Sequence, residues 1–462
     1  MVKRFSVLVL CTLAVCVFLW GGPANCAEGE SSVPAVSSSP AAVSAPNLPA
    51  AAADGTADHG IAPGTTITMQ NWQQYRQFMP DGMTDLFEGK YFWKMPSDVE
   101  MDVGPTVIHP LPQGYVAATE KYSSQVKLVT LPDGGLTVEN YVGGEPFPNP
   151  GEPHRGWKIL ANLWFRYMPH LVVNTSDSLG FKCTQDSNGA TACQKSQFVY
   201  RQMSYNTDPG VPATIPTGED KFFTFWNMIE QPEQLKYTST LTIAFTDLTK
   251  PQKDYIFNPV VRRVEPRGAL ARCATGNFDT TPDDGRFGFN GNPPLFDAQL
   301  LREQKILSMM DYGIAGANFP QNFDMPLGWP KASWGKWELR DTYVIDVRRI
   351  PSQASGYCYG KRIMYVDKQF YGILWQDLYD AQMKLWKISL IQPIVLEVPG
   401  IGLQNSSGAA LGRFWDIQNN HATYGGPSDG HGYPVLINEK VPEVYQDVRR
   451  YTTQEGLSAV MR

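Results

Sequence analysis

Charged side chains are scarce in these 462 residues: Asp, Glu, Lys and Arg together make up only 18%. Those present tilt acidic, 39 Lys and Arg against 45 Asp and Glu, for a formal charge of −6. A chain without a basic surplus has no face to set against phosphates, which excludes nucleic acid as a partner. The signatures of common chemistry are missing too. No G-x-S-x-G elbow offers a nucleophilic serine, and the loop from Gly402 to Gly408 lacks the strand–turn–helix context such a serine needs. Close C-x-x-C pairs for zinc are absent, as is the D-x-[DN]-x-[DN]-G pattern of a calcium loop. There is no long-period internal repeat. Histidines number six and are scattered.

What the chain does have is apolar bulk. Hydrophobic residues reach 42%, which excludes disorder for the chain as a whole. Its 22 Phe, 21 Tyr and 12 Trp, interrupted by 36 Pro and 41 Gly, describe strands broken by turns. The length exceeds what one core usually serves, so either two domains or one large sheet with appendages is expected.

The first residues have the three parts of a secretory signal. Lys3 and Arg4 precede an apolar run from Phe5 to Trp20, and Ala24 and Cys26 supply small residues before a cut at Ala27. Sixteen residues at 1.5 Å rise fall short of the ~30 Å hydrocarbon core, so cleavage is expected over membrane anchoring. Residues 1–26 are thus read as a signal peptide, and 27–60, rich in Ala, Ser and Pro, as a flexible linker. Cleavage leaves Cys183, Cys193, Cys273 and Cys358, an even number that in an exported chain reads as disulfides. Cys183 and Cys193 flank an Asn188-Gly189 reversal and pair locally; Cys273 then pairs with Cys358.

Residues 61–462 are expected to form the folded domain. Strand candidates span 115–131, 136–141, 197–205, 220–230, 237–248, 255–257, 260–264, 342–350, 357–366, 370–379, 385–398 and 413–417. Leu241, Ile243 and Phe245 alternate with Thr240, Thr242 and Ala244, the period of a strand with one greasy face. Helices are expected at 152–168, where Trp157, Leu160, Trp164 and Phe165 recur at helical spacing, and at 298–312. Loop insertions are expected at 268–296 and 313–335. Short turns between consecutive strands favour antiparallel pairing, and so many strands curl. The fold class is mainly β (α+β): a strongly curved antiparallel sheet forming an incomplete barrel, with helices covering its mouth.

Three stretches carry a resemblance. Gly143-Gly144-Glu145-Pro146-Phe147-Pro148 leads to Trp157 and Leu163-Trp164-Phe165-Arg166-Tyr167. Tyr255-Ile256-Phe257-Asn258-Pro259 runs into Arg262-Arg263-Val264. Arg362-Ile363-Met364-Tyr365-Val366-Asp367 leads through Trp375, Asp377, Tyr379 and Asp380 to Leu385-Trp386-Lys387-Ile388. In order and spacing these resemble the exported family known as domain of unknown function 1329, which is outer-membrane lipoprotein-sorting-like. The resemblance implies the fold of the periplasmic lipoprotein carriers, an unclosed barrel over an apolar cavity. It also implies a Gram-negative periplasm, with association at the inner face of the outer membrane. An outer-membrane protein or lipid exporter is implied as partner. The family brings no catalytic residues.

The expected ligand is a lipid or other hydrophobic molecule, held without catalysis, cofactor or metal. The expected cavity wall is Phe225, Leu241, Ile243, Phe245, Phe257, Trp375, Trp386 and Ile388, and the lid Trp157, Leu160, Trp164 and Phe165. The alternative is a non-carrying interaction protein of an outer-membrane or lipid-export complex. His421 and His431, with Asp429, are read as polar loop residues, and Asp279, Asp283, Asp284 and Asp297 as a solvated acidic loop.

Overall fold

The computed structural model describes residues 60–268, 272–275, 278–312, 320–426 and 435–461. The expected signal peptide and all but the last residue of the expected linker lie outside them, as do His431 and Asp429.

Thirteen strands form the continuous path of one large antiparallel sheet. In chain order they are β1 (Gly180–Gln185), β2 (Thr191–Gln202), β3 (Lys221–Gln231), β4 (Ser239–Phe245), β5 (Lys253–Asn258) and β6 (Arg263–Pro266). Then come β7 (Phe296–Tyr312), β8 (Gly335–Arg349), β9 (Tyr359–Asp367), β10 (Ile373–Asp380), β11 (Leu385–Val398), β12 (Gly402–Asp416) and β13 (His421–Gly426). The order across the sheet is β6-β5-β4-β3-β2-β1-β13-β12-β11-β10-β9-β8-β7. Each strand but β6 therefore neighbours its successor, β13 pairs back onto β1, and among the described residues β6 and β7 are the two edges of the path. This is an up-and-down barrel interrupted at one seam. The short strands Leu171–Asn174 and Leu436–Ile437 extend it beside β2.

The inside of the curve is identified by the insertion between β6 and β7. Thr423 of β13 exchanges hydrogen bonds with Asp279, and Gln376 of β10 donates to the Gly288 carbonyl at 3.0 Å. The Arg286 guanidinium lies 4.6 Å from the Phe223 ring of β3. The ten residues from Asp279 to Gly288 reach side chains on both halves of the sheet only from its concave side.

Three helices precede or flank this sheet: α1 (Asp81–Phe87), α2 (Gln113–Tyr122) and α3 (Arg155–Trp164). The last, matching the helix expected at 152–168, buries Trp157, Leu160 and Trp164 on the inner side against β7 and β8. Outside, residues 61–103 with α1 cover β7 to β12. The Gly82 N–H donates to Asp377 Oδ2 at 3.1 Å, an approach that a Cβ at Gly82, 2.1 Å from Asp377 Oδ1, would block. The short helices Glu443–Gln446, Val448–Thr452 and Gln454–Leu457 cover β3 to β5 from the same side, Tyr451 meeting Trp226 edge-on at 5.0 Å.

Two expectations are corrected. Residues 298–312 are not a helix: β7 pairs with β8 from Phe296 to Tyr312. Leu300, Leu301, Arg302, Glu303, Gln304 and Lys305 are good helix formers, but a few tenths of a kcal/mol per residue yields to a full ladder of cross-strand hydrogen bonds. Conversely, 113–122 is helix rather than strand. Pro112 sits at its start and Tyr115 is its one buried side chain, with the hydroxyl donating to the Phe165 carbonyl at 3.2 Å. A strand needs a second strand, and here only Lys127–Thr130 and Leu136–Glu139 find each other, across the expected turn at Pro132 to Gly135.

Candidate functional site

The inner surface begins with strand parity. Phe198 and Phe225, diagonal neighbours on β2 and β3 with rings 5.4 Å apart, point inward, as do Lys182 on β1 and Phe414 on β12. Onto them folds the insertion, with Arg286 and Phe287 both in left-handed backbone (φ 49° and 59°). Non-glycine residues adopt that conformation only when their surroundings hold them there. Arg286 is held by the rings of Trp164, Phe222 and Phe223 at 4.7, 5.4 and 4.6 Å. It also donates to the Trp164 carbonyl at 2.7 Å, and its own carbonyl accepts from Arg166 at 2.9 Å. The cation–π cage partly offsets desolvation, and burial holds the pKa of both arginines below the usual range.

Beside this cage the insertion brings two carboxylates to the wall. Asp283 accepts from Arg272, Arg349 and the Tyr357 hydroxyl. Asp284 pairs with Arg362 at 2.8 Å and accepts from the Tyr359 hydroxyl at 2.7 Å. Burial opposes the Asp284 charge, yet Arg362 and Lys387 outweigh it and hold its pKa below the carboxylate range. Cys273 and Cys358 are bonded alongside, fastening the insertion to the start of β9; Cys183 and Cys193 are bonded across the β1–β2 hairpin. Asp279, Asp283 and Asp284 are thus buried and tied, which corrects their reading as a solvated loop: the sheet's inward arginines and tyrosines draw them in. Among the described residues no group of three His, Cys, Asp or Glu is placed to hold a metal ion.

What α3 and the insertion leave uncovered is a cleft of about 290 Å³. Its lining includes Lys182, Phe198, Phe225, Thr281, Asp284, Phe287, Phe414 and Gly425. The Lys182 ammonium lies 4.3 Å from the Phe278 ring, and burial pushes its pKa down to about 8 against the pull of Asp284 and Asp279. A second cleft of about 480 Å³ opens at the rim, lined by Asp279, Trp386, Asp416 and the exposed His421 among others. Trp386 donates to Asp416 Oδ2 at 2.9 Å there.

The expected wall residues divide between the two faces. Phe225 lines the inner cleft and Trp386 its rim. Leu241, Ile243, Phe245 and Phe257 lie on the outer face beneath the C-terminal helices, and Trp375 and Ile388 on the outer face beneath residues 61–103. The expected lid residues Trp157, Leu160, Trp164 and Phe165 come together in the inner cluster, all buried. Lys182, Phe198, Phe287 and Phe414 were not anticipated. Phe198 carried a usable signal, since it alternates with Val199 as Phe225 does with Trp226; Phe287 reaches the cleft only through its left-handed backbone.

The sequence pattern described as "Protein of unknown function (DUF1329)" matches residues 66–456. The chain belongs to the DUF1329 family. Among solved structures, a DUF1329 protein from Desulfovibrio piger is 11% identical, with a TM-score of 0.42 over 65% of this chain and 100% of its own. A domain named for outer-membrane lipoprotein sorting from Vibrio parahaemolyticus is 11% identical, at 0.43 over 66% and 98%. A LolA superfamily protein from Nitrosomonas europaea is 12% identical, at 0.35 over 63% and 94%. No curated protein matches the chain.

Proposed function

We propose that this DUF1329 protein is an exported, non-catalytic binding protein for slim hydrophobic molecules, lipid-like ones above all, acting in a Gram-negative periplasm at the outer membrane. In this reading 1–26 direct export, 27–60 tether, and 61–462 bind. Two disulfides fit an oxidising compartment. The observation that carries the reading is the cleft itself: three strands and the insertion converge four phenylalanines on one uncovered hollow. A guest entering it leaves water at a gain of ~25 cal/mol per Å² of apolar surface, so several methylenes hold without a polar anchor. The rest of the interior is occupied by α3 and the insertion, so a bulkier guest requires that insertion to move.

The test is a Phe225→Asp variant titrated with a fluorescent fatty-acid probe. Binding should fall at least tenfold while the near-ultraviolet dichroism of the fold persists. Unchanged affinity in a folded variant removes the cleft from the binding site. The second reading, an interaction protein that carries nothing, draws on Val260 and Val261, 86% and 52% exposed at the tip between β5 and β6. Such a protein would co-purify with a membrane partner and yield no lipid on organic extraction.

A further inference from the structure

We propose that the cleft takes an anionic amphiphile of the medium-chain fatty-acid class, its carboxylate on Lys182 and its chain among Phe198, Phe225, Phe287 and Phe414. This rests on the cleft being the binding site and adds to it the chemistry of the head group. Lys182 is the one lining residue whose charge is not already committed. Asp284 is engaged by Arg362 and the Tyr359 hydroxyl, and no hydrogen-bond acceptor among the described residues is found for the Lys182 ammonium, which only rests over the Phe278 ring. Lys182 is only partly exposed, and a carboxylate arriving with a hydrocarbon tail offers its ammonium an acceptor inside the cleft. The charged groups facing it are Asp279, Asp284 and Lys387. Asp279 accepts from the Thr423 hydroxyl, and burial raises its pKa from the ordinary carboxylate value against that donor.

Size bounds the tail. About 290 Å³ is room for about ten units of ~30 Å³, the share of one water, so a chain of about eight to ten carbons is seated and a longer one projects. The placement also predicts a direction with pH. Burial lowers the Lys182 pKa to about 8, so binding of a carboxylate weakens as pH rises past that value.

Calorimetric titration of the full protein with octanoate, decanoate, dodecanoate and decanol tests this. Affinity should rise about fourfold per methylene, the equivalent of ~0.8 kcal/mol, and level off beyond about ten carbons. Decanoate should bind at least tenfold tighter than decanol, Lys182→Met should abolish that advantage, and Lys182→Arg should restore most of it. Equal affinities for decanoate and decanol, or an advantage that survives Lys182→Met, overturn the head-group assignment while leaving a hydrophobic cleft. If neither ligand binds, both the assignment and the binding function fall.

Discussion

On the outer side of β10 and β11 stand Trp375, Ile388 and Leu390, packed beneath residues 61–103; on the inner side of the same strands stand Gln376, Leu378, Lys387 and Ser389. β4 repeats the contrast, with Leu241 and Ile243 outward and Thr240, Thr242 and Ala244 inward. The two faces are covered by different means. Outside, appended segments bring apolar side chains of their own: Trp329 stacks between Trp337 and Trp415, and Arg413 is enclosed by Tyr424, Trp415 and Trp93. Inside, the insertion brings carboxylates, and the sheet answers with Arg349, Arg362 and two tyrosines. A greasy strand face therefore marks where another segment packs, not where a guest is held.

The largest effect should come from breaking the inner ion pairs. Asp284→Ala leaves the Arg362 guanidinium, 1% exposed, without its partner and should cost about 3–5 kcal/mol in urea unfolding. Adding Arg362→Met should recover most of that loss, because an apolar pair of similar volume escapes the desolvation penalty. A double variant as unstable as the single one would show that the pair's charge is not what matters inside.

The disulfides sharpen the contrast at the next level. Cys273–Cys358 closes a loop of sequence separation 85 and fastens the insertion, whereas Cys183–Cys193, separated by 10, closes a hairpin whose register already opposes the two residues. Loop-closure entropy gives about 4.6 kcal/mol for the first and about 2.8 for the second. Replacing each pair by serine and comparing unfolding midpoints should rank them in that order. Equal losses would mean that the insertion stays docked through its ion pairs alone.

Much of the fold was legible in the sequence and less of the site, for physical reasons visible in particular residues. Strand existence from Gln197 to Phe257 and from Thr342 to Val398 followed from alternation and turn residues, and the paired cysteines followed from an Asn-Gly reversal and elimination. The sequence could not show which face turns inward. That is decided by where the insertion and the terminal segments dock, contacts far apart in the chain, as between Asp284 and Tyr359, 75 residues apart, or Gly82 and Asp377, 295 apart. The β7 ladder illustrates the same limit, since its residues favour a helix until β8 supplies a partner. Helical spacing of α3 survived because its apolar face is broad enough to be read locally.

The smallest effect compares the two faces by titration. Inside, Glu145 Oε1 accepts from the Tyr371 hydroxyl at 2.6 Å and from Asn162 of α3 at 2.9 Å. Outside, Asp377 accepts from the Gly82 N–H at 3.1 Å and the Trp375 indole at 2.9 Å. Burial pushes both carboxyls up to about 7, against the opposing pull of those donors. A raised carboxyl pKa means the folded protein keeps a proton that the unfolded chain releases above about 4.5. The contribution is therefore full at acid pH and is lost as pH rises through about 7. Glu145→Gln preserves the oxygen that accepts both hydrogen bonds while removing the proton. Between pH 5 and 8 the wild type should lose stability from both faces, and the variant only from Asp377, a difference of about 1–3 kcal/mol in urea titrations. Identical pH slopes would place Glu145 in water-like surroundings and detach α3 from this anchor; a slope abolished altogether would mean that Asp377 on the outer face does not titrate in this range, leaving the inner face alone to sense pH.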